Sequence, residues 1–253
     1  MLEKPVTVIT GAAGGIGLAC AVHLHGLGHQ LVLVDLNQSH LEKAAQSAGL
    51  DAGHTLLVAA DVSREEDVQG YVHAAIERFG RIDGFVNNAG IEGTPALIEE
   101  QSVEVLDRVY AVNVRGVFLG LRHVLPVMRA QGAGAVVNLS SLAGIMGAPT
   151  QGVYVMSKHA VIGLTRTAAV EAASGGVRVN AVLPGTINTE MMRRIERDSG
   201  NGAAAESANR AATPLGRYGE PKEIAAVVAF LISPEASYVT GSLYTADGGM
   251  SPF

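Results

Sequence analysis

Short apolar runs alternate with longer amphipathic stretches along the whole chain. "VTVIT" (6–10), "QLVLVD" (30–35), "HTLLVAAD" (54–61), "DGFVNNAG" (83–90), "GAVVNLSS" (134–141), "RVNAVLPG" (178–185) and "SLYTADGG" (242–249) are apolar throughout, without polar alternation. Strands of that kind are buried on both faces, which marks a parallel sheet covered by helices on each side. The clearest helical stretch has apolar residues at 103, 106, 110, 114, 117, 121, 125 and 128, steps of three and four that form one stripe. The alternation predicts an α/β protein: a single-domain, doubly wound Rossmann fold over 1–253, with about seven parallel strands and helices on both faces. Long helices are expected over about 99–129 and 152–174. No linker, low-complexity segment or internal repeat interrupts the pattern.

One connection is much longer than the usual few residues. After the sixth apolar run, residues 186–213 read "TINTEMMRRIERDSGNGAAAESANRAAT", partly helical and broken by Gly200 and Gly202. It follows a strand's carboxyl end, where such sheets bind ligands, and is expected to be a substrate lid; the alternative is an ordinary helical insertion.

Composition narrows the class of partner. The 253 residues are 48% hydrophobic and 17% charged, with a net charge of -6, which argues against nucleic acid or an anionic membrane as partner. A small-molecule substrate is expected. No apolar run reaches the ~18–20 residues of a membrane span, and an apparent strand begins by the sixth residue, leaving no room for a signal peptide. The single cysteine, Cys20, excludes an internal disulfide and points to the cytoplasm. Its neighbours "GLACAV" make it a packed core thiol.

Candidate chemistry begins after the first apolar run, at "TGAAGGIG", where Gly11, Gly14, Gly15 and Gly17 open a helical stretch. Glycines there let backbone approach a pyrophosphate, and a helix N-terminus adds free N–H donors and a positive dipole end. Asp35 closes the second run 18 residues past Gly17, near the offset at which an acid holds an adenosine ribose. That carboxylate suits the ribose hydroxyls of NAD. The 2′-phosphate of NADP carries about -1.5 to -2 charge, and each unit of like charge at ~4 Å costs up to about 4 kcal/mol at an effective dielectric near 20. Ala12, Ala13, Leu36 and Asn37 offer no cation to offset it. The expected cofactor is NAD.

"GVYVMSKHA" (152–160) places Tyr154 and Lys158 one helical turn apart. A phenol with a pKa of about 10 needs help to act as a base near pH 7. One cation within ~4–6 Å lowers a pKa by about 1–3 units, and oxidised nicotinamide brings a second positive charge. Tyr154 can then exchange a proton with an alcohol oxygen as hydride passes to or from the nicotinamide. The histidines offer no clear alternative chemistry: only His25 and His29 share a helical face, and no metal site is expected.

These segments resemble the short-chain dehydrogenase/reductase family over the whole chain. The matching features are "TGxxxGIG" at Thr10 to Gly17, the pair Asp61 and Val62, "NNAG" at Asn87 to Gly90, Asn113, Ser141 thirteen residues before the tyrosine, "YxxxK" at Tyr154 to Lys158, and Pro184, Gly185 and Thr186. The resemblance implies a cofactor site of Gly11, Gly15, Ile16, Gly17, Asp35 and Leu36. Asp61 and Val62 would line the adenine, and Asn87, Asn88, Ala89 and Gly90 the centre. Pro184, Gly185, Ile187 and Thr189 would lie at the nicotinamide end, with Tyr154 and Lys158 touching cofactor as well. It implies a catalytic set of Asn113, Ser141, Tyr154 and Lys158: Ser141 holds the substrate oxygen, Lys158 contacts ribose hydroxyls, and Asn113 holds a water in a proton relay. For Asn113 a buried amide bonded to backbone is the plainer alternative. Ser140 and Ser157 are expected to be structural.

"NNAGIEG", "GVFLGL" and "RYGEPKEIAAVVAFLISPEASYV" are similar to bacterial members related to levodione reductase and cyclohexanol dehydrogenase. That likeness implies a small or cyclic secondary alcohol and its ketone. Glu92 either orients a polar substituent or is a solvated loop acid, and Met191 and Met192 either contact substrate or pack the lid. Two other readings are a 3-oxoacyl-thioester reductase of fatty acid metabolism, which calls for NADPH and a basic docking surface, and a catalytically silent NAD-binding redox sensor. The two long helices carry more apolar surface than one sheet face covers, and related proteins pair them into tetramers, so a homotetramer is expected.

Overall fold

The computed structural model describes residues 4–198 and 200–251. Each predicted apolar run coincides with one strand, β6 starting one residue early: β1 (Val6–Thr10), β2 (Gln30–Asp35), β3 (Thr55–Ala59), β4 (Gly84–Asn87), β5 (Gly134–Leu139), β6 (Val177–Pro184) and β7 (Leu243–Ala246). They form one sheet in the order β3-β2-β1-β4-β5-β6-β7, and every pairing is parallel. This is the doubly wound Rossmann architecture.

Nine helices connect the strands among the described residues: α1 (Gly15–Gly26), α2 (Gln38–Ser47), α3 (Glu65–Phe79), α4 (Val103–Tyr110), α5 (Gly116–Gln131), α6 (Gly152–Ala172), α7 (Glu190–Asp198), α8 (Gly202–Ala212) and α9 (Pro221–Ile232). Successive strand residues point to opposite faces, so one run of valines and leucines supplies two cores. Val6, Val8, Val32 and Val34 pack with α3, α5 and α6 on one side. On the other, Ile9, Leu31 and Leu33 pack with Cys20 and Leu24 of α1 and Ile224 and Val228 of α9. Burial pushes the Cys20 thiol up to about 12, as expected for a core cysteine. The helix starts follow local chemistry: Ser102 accepts from Val105 N ahead of α4, and Glu220 and Glu223 form a reciprocal cap around Pro221 at the start of α9.

The helix expected over 99–129 is not continuous. A 3₁₀ turn at Ile98–Glu100 precedes α4, and a π-helical turn at Ala111–Arg115 separates α4 from α5. The widened turn carries Asn113. Its amide bonds both polar groups of Ile91, Oδ1 accepting from the N–H and Nδ2 donating to the carbonyl, each at 2.8 Å. A π turn within a helix commonly marks a functional position. The expected helix over 152–174 is α6 followed by a 3₁₀ turn at Ala173–Gly175.

Strand order reverses between β1, which leads outward to β2, and β4, which leads outward to β5. Loops leaving the carboxyl ends of β1 and β4 therefore run in opposite directions and open a crevice. The segment after β6 folds as α7 and α8 at the same end of the sheet.

Candidate active site

A cavity of about 760 Å³ fills that crevice. At one end it is lined by Gly11, Gly14, Gly15, Ile16, Asp35 and Leu36, and further along by Asp61, Val62, Asn88, Ala89 and Gly90. Gly11 has φ +64°, and a Cβ there would lie 2.9 Å from Ala89 Cα. The turn thus presses against the β4 loop, and Asn88 Nδ2 ties the two by donating to the Thr10 and Gly11 carbonyls. The N-cap of α1 is Gly14, with no capping side chain and no acid in the first turn. First-turn N–H donors beside open space at Gly14 suit a phosphate. Asp35 accepts from Ala13 N at 2.9 Å and from Leu36 N at 2.8 Å. Two bonds orient the carboxylate and leave further lone pairs for ribose hydroxyls. These residues fit a dinucleotide cofactor.

Two expected cofactor residues lie elsewhere. Gly17 does not line the cavity: a Cβ there would come 2.1 Å from the Gly11 carbonyl oxygen, so its absent side chain allows the loop to close on α1. Asn87 is buried and donates to the Val117 carbonyl at 3.0 Å. It belongs to the packing of β4 on α5.

Ser141, Tyr154 and Lys158 come together at the other end. Ser141 follows β5 and begins a 3₁₀ turn, its Oγ accepting from Ala143 N at 3.2 Å. Ser140, pointing the opposite way, donates to the Lys158 carbonyl at 2.9 Å and fixes the height of α6 against β5. Ser157 donates to the Tyr154 carbonyl and receives Asn113 Nδ2. Asn113 itself is fully buried and does not line the cavity. Its amide is committed to Ile91 and Ser157, so the side chain braces the Ile91 loop against α6.

The charge relation of the pair differs from the sequence expectation. Lys158 Nζ lies 5.5 Å from the centre of the Tyr154 ring but donates to the Leu139 carbonyl at 2.9 Å. Burial pushes the phenol up to about 12; the Ser141 hydroxyl offsets part of this and the Glu92 carboxylate adds to it. Burial also brings the Lys158 ammonium down to about 8. For both groups burial is the largest cause of the shift.

Pro184, Gly185, Ile187 and Thr189 line the cavity after β6, and Met191 and Met192 line it from α7. Glu92 lies in a smaller neighbouring cavity and is ion-paired with Arg194 of α7, an alternative absent from the sequence expectation. A pairing across 102 positions has no sequence signal. Also unanticipated are Met146, Gln151 and Met250 in the main cavity. Gln151, three residues before Tyr154, carries a positional signal that the motif itself hides.

Residues 11–251 match the family described as "Enoyl-(Acyl carrier protein) reductase". The chain is 47% identical over 252 residues to levodione reductase of Leifsonia aquatica, covering 97% of this chain and 94% of that protein. It is 39% identical over 246 residues to cyclohexanol dehydrogenase of Acinetobacter sp., covering 97% and 94%. The crystal structure of levodione reductase matches with a TM-score of 0.96 at 45% identity, over 100% of this chain and 99% of that one. That of NAD+-bound xylitol dehydrogenase matches with a TM-score of 0.94 at 35% identity, over 98% and 100%.

Proposed function

The chain belongs to the short-chain dehydrogenase/reductase family, and on that premise we propose that it is an NAD-dependent oxidoreductase interconverting a small or cyclic secondary alcohol and its ketone. The observation that carries this is the single cavity in which the glycine turn and Asp35 stand at one end and Ser141, Tyr154 and Lys158 at the other. The levodione reductase and cyclohexanol dehydrogenase likenesses support the substrate class.

NAD rather than NADP follows from where the charges lie. Of the described residues lining the cavity, Lys158 and Arg194 alone are cationic. Lys158 is anchored at the end of β5, three strand spacings from β2 in the sheet. At about 4.8 Å per spacing this is roughly 14 Å from Asp35, too far to neutralise a 2′-phosphate there; Arg194 sits on α7, beyond β6. The NAD+-bound xylitol dehydrogenase likeness supports the same choice.

A nicotinamide dinucleotide, when bound, supplies the hydride donor or acceptor and, oxidised, a positive charge. Gly11, Gly14 and Gly15 would hold its phosphates, Asp35 its ribose, and Lys158 its second ribose. Tyr154 Oη holds the proton: with its pKa raised, it is a neutral acid that protonates the substrate oxygen as the ketone becomes an alcohol, and removes that proton in reverse. Ser141 Oγ hydrogen-bonds the same oxygen. Asn113 is a positioning residue, tying the Ile91 loop to α6 through Ser157.

The helices α7 and α8 would serve as a lid over the substrate end, through Met191 and Met192. The exposed apolar stripe of Val103, Tyr110, Phe118 and Met156 supports a homotetramer built on α4, α5 and α6. No helix among the described residues is long and apolar enough to cross a membrane; we place the enzyme in the cytoplasm on its single buried thiol. The test is an absorbance assay at 340 nm over secondary alcohols and ketones with each nicotinamide cofactor. NAD-linked turnover, lost in Tyr154→Phe, is expected; turnover of 3-oxoacyl thioesters alone, with NADPH, would overturn the reading.

A further inference from the structure

Four of the seven methionines in the chain line the main cavity: Met146 after β5, Met191 and Met192 of α7, and Met250 beyond β7. Three segments far apart in sequence thus bring thioethers to one wall. Met128 is fully buried in the core, and Met156 is exposed outside the cavity. A thioether is soft and suits an apolar ligand of irregular shape, but it is also the group that a peroxide converts to a polar sulfoxide. The one thiol of the chain offers no competing target, because Cys20 of α1 is fully buried in the core.

Backbone holds Met250 in place. Asp247 accepts from Gly249 N at 3.0 Å and from Ser251 N at 2.9 Å, closing a turn around it. Leu215 N donates to the Gly248 carbonyl at 3.1 Å and ties that turn to the chain just past α8. The sulfur meets a donor there: Thr186 Oγ1 lies 3.9 Å from Met250 Sδ. Thr186 follows Gly185 in the cavity wall. Its hydroxyl has only a weak acceptor in the thioether and would find a stronger one in a sulfoxide oxygen. Met250 is only half-buried beside the cavity, so a small peroxide has access to it.

We propose that Met250 is an oxidation-sensitive modification site at the substrate end, where a peroxide forms a sulfoxide that Thr186 Oγ1 holds inside the cavity, weakening the binding of an apolar substrate. In the step the sulfur lone pair attacks one peroxide oxygen and the O–O bond breaks. The sulfur takes a hydroxyl whose proton passes to the departing hydroxide, giving sulfoxide and water; the sulfur is oxidised by two electrons and the peroxide reduced. A polar oxygen then stands where an apolar ring packs, and desolvating it is costly. Methionine sulfoxide reductases reverse the change. The effect on substrate rests on the alcohol and ketone reading above.

The test treats the whole chain with hydrogen peroxide, quenches with catalase, and follows cyclohexanone reduction by NADH beside a peptide mass map. Wild type, Met250→Leu, Thr186→Val and Met156→Leu are each compared with their own untreated sample; leucine keeps the volume of methionine without its sulfur. In wild type, KM is expected to rise at least fivefold with kcat within twofold, and to return after incubation with methionine sulfoxide reductases A and B and dithiothreitol. Met250→Leu is expected to hold its KM within twofold, Met156→Leu to respond as wild type does, and Thr186→Val to show less than half the wild-type rise although Met250 is oxidised. A response of Met250→Leu equal to wild type would overturn the proposal, as would an undiminished rise in Thr186→Val. The map is read without turnover: Met250 is expected to oxidise at least tenfold faster than Met128 of the core, and equal rates sink the proposal. Failure of wild type to reduce any ketone counts against the parent reading and leaves the map to decide the modification site.

Discussion

Lys158 and Tyr154 are neighbours whose ionisation is set by burial more than by each other: the ammonium lies 5.5 Å from the phenol ring and gives its hydrogen bond to the Leu139 carbonyl. Burial holds the lysine near 8 and the tyrosine near 12. The raised phenol is a proton donor, and it needs further positive charge beside it to act as a base.

The lysine leaves a stability signature. In the unfolded chain it retains its proton to about 10.5, whereas in the folded chain it loses it near 8, so between these values the unfolded state binds more protons and stability rises with pH. Below pH 8 the buried charge is a penalty of about 3 kcal/mol at ~1.36 per unit. Lys158→Met lacks that dependence. Thermal midpoints taken from pH 7 to 10 are expected to show wild type gaining on the variant as pH rises; a constant difference would mean the ammonium is better solvated than its burial implies.

Removing the phenol isolates its role. Tyr154→Phe keeps the ring and its packing but has no proton to exchange, so turnover is expected to fall at least ~100-fold. NAD affinity, measured by quenching of NADH fluorescence, is expected to change by less than about threefold, since the glycine turn and Asp35 are untouched.

Asp35→Ala removes the charge opposed to a 2′-phosphate. The ratio of NAD to NADP affinities is expected to narrow at least ~10-fold, well within the like-charge cost of up to about 4 kcal/mol. An unchanged ratio in paired titrations would place the discrimination elsewhere.

Two glycines of one motif should fail differently. Gly17→Ala drives a methyl into the Gly11 carbonyl, an overpacking of about 1–3 kcal/mol that lowers the thermal midpoint by roughly 2–12 °C. Gly14→Ala meets nothing within 4 Å, so its midpoint is expected to hold while NAD affinity falls. Calorimetry and a binding titration on both variants separate the two effects.

The exposed stripe on α4 and α5 predicts assembly. Wild type is expected to elute as a tetramer with light-scattering detection, and Tyr110→Glu, placing a charge where Tyr110 is 46% exposed, to dissociate it. A monomeric wild type at micromolar concentration refutes the assembly.

Much of this protein was legible in its sequence because the relevant physics is local. Seven apolar runs imply strands buried on both faces, and the parallel sheet follows; the distance from Gly17 to Asp35 spans one helix and one strand, so it reports a crevice. The four-residue step from Tyr154 to Lys158 is a property of any helix. What the tertiary structure decided depends on segments far apart in the chain. Whether Gly17 lines the cavity or lets the loop close on the helix depends on the path of Gly11. The commitment of Asn113 to Ile91 and Ser157 needs three segments in place, and the Glu92 to Arg194 pair joins positions 102 residues apart. Spacing placed the lysine beside the tyrosine, but the direction of their pKa shifts came from how much water the folded walls exclude, a quantity that no local pattern encodes.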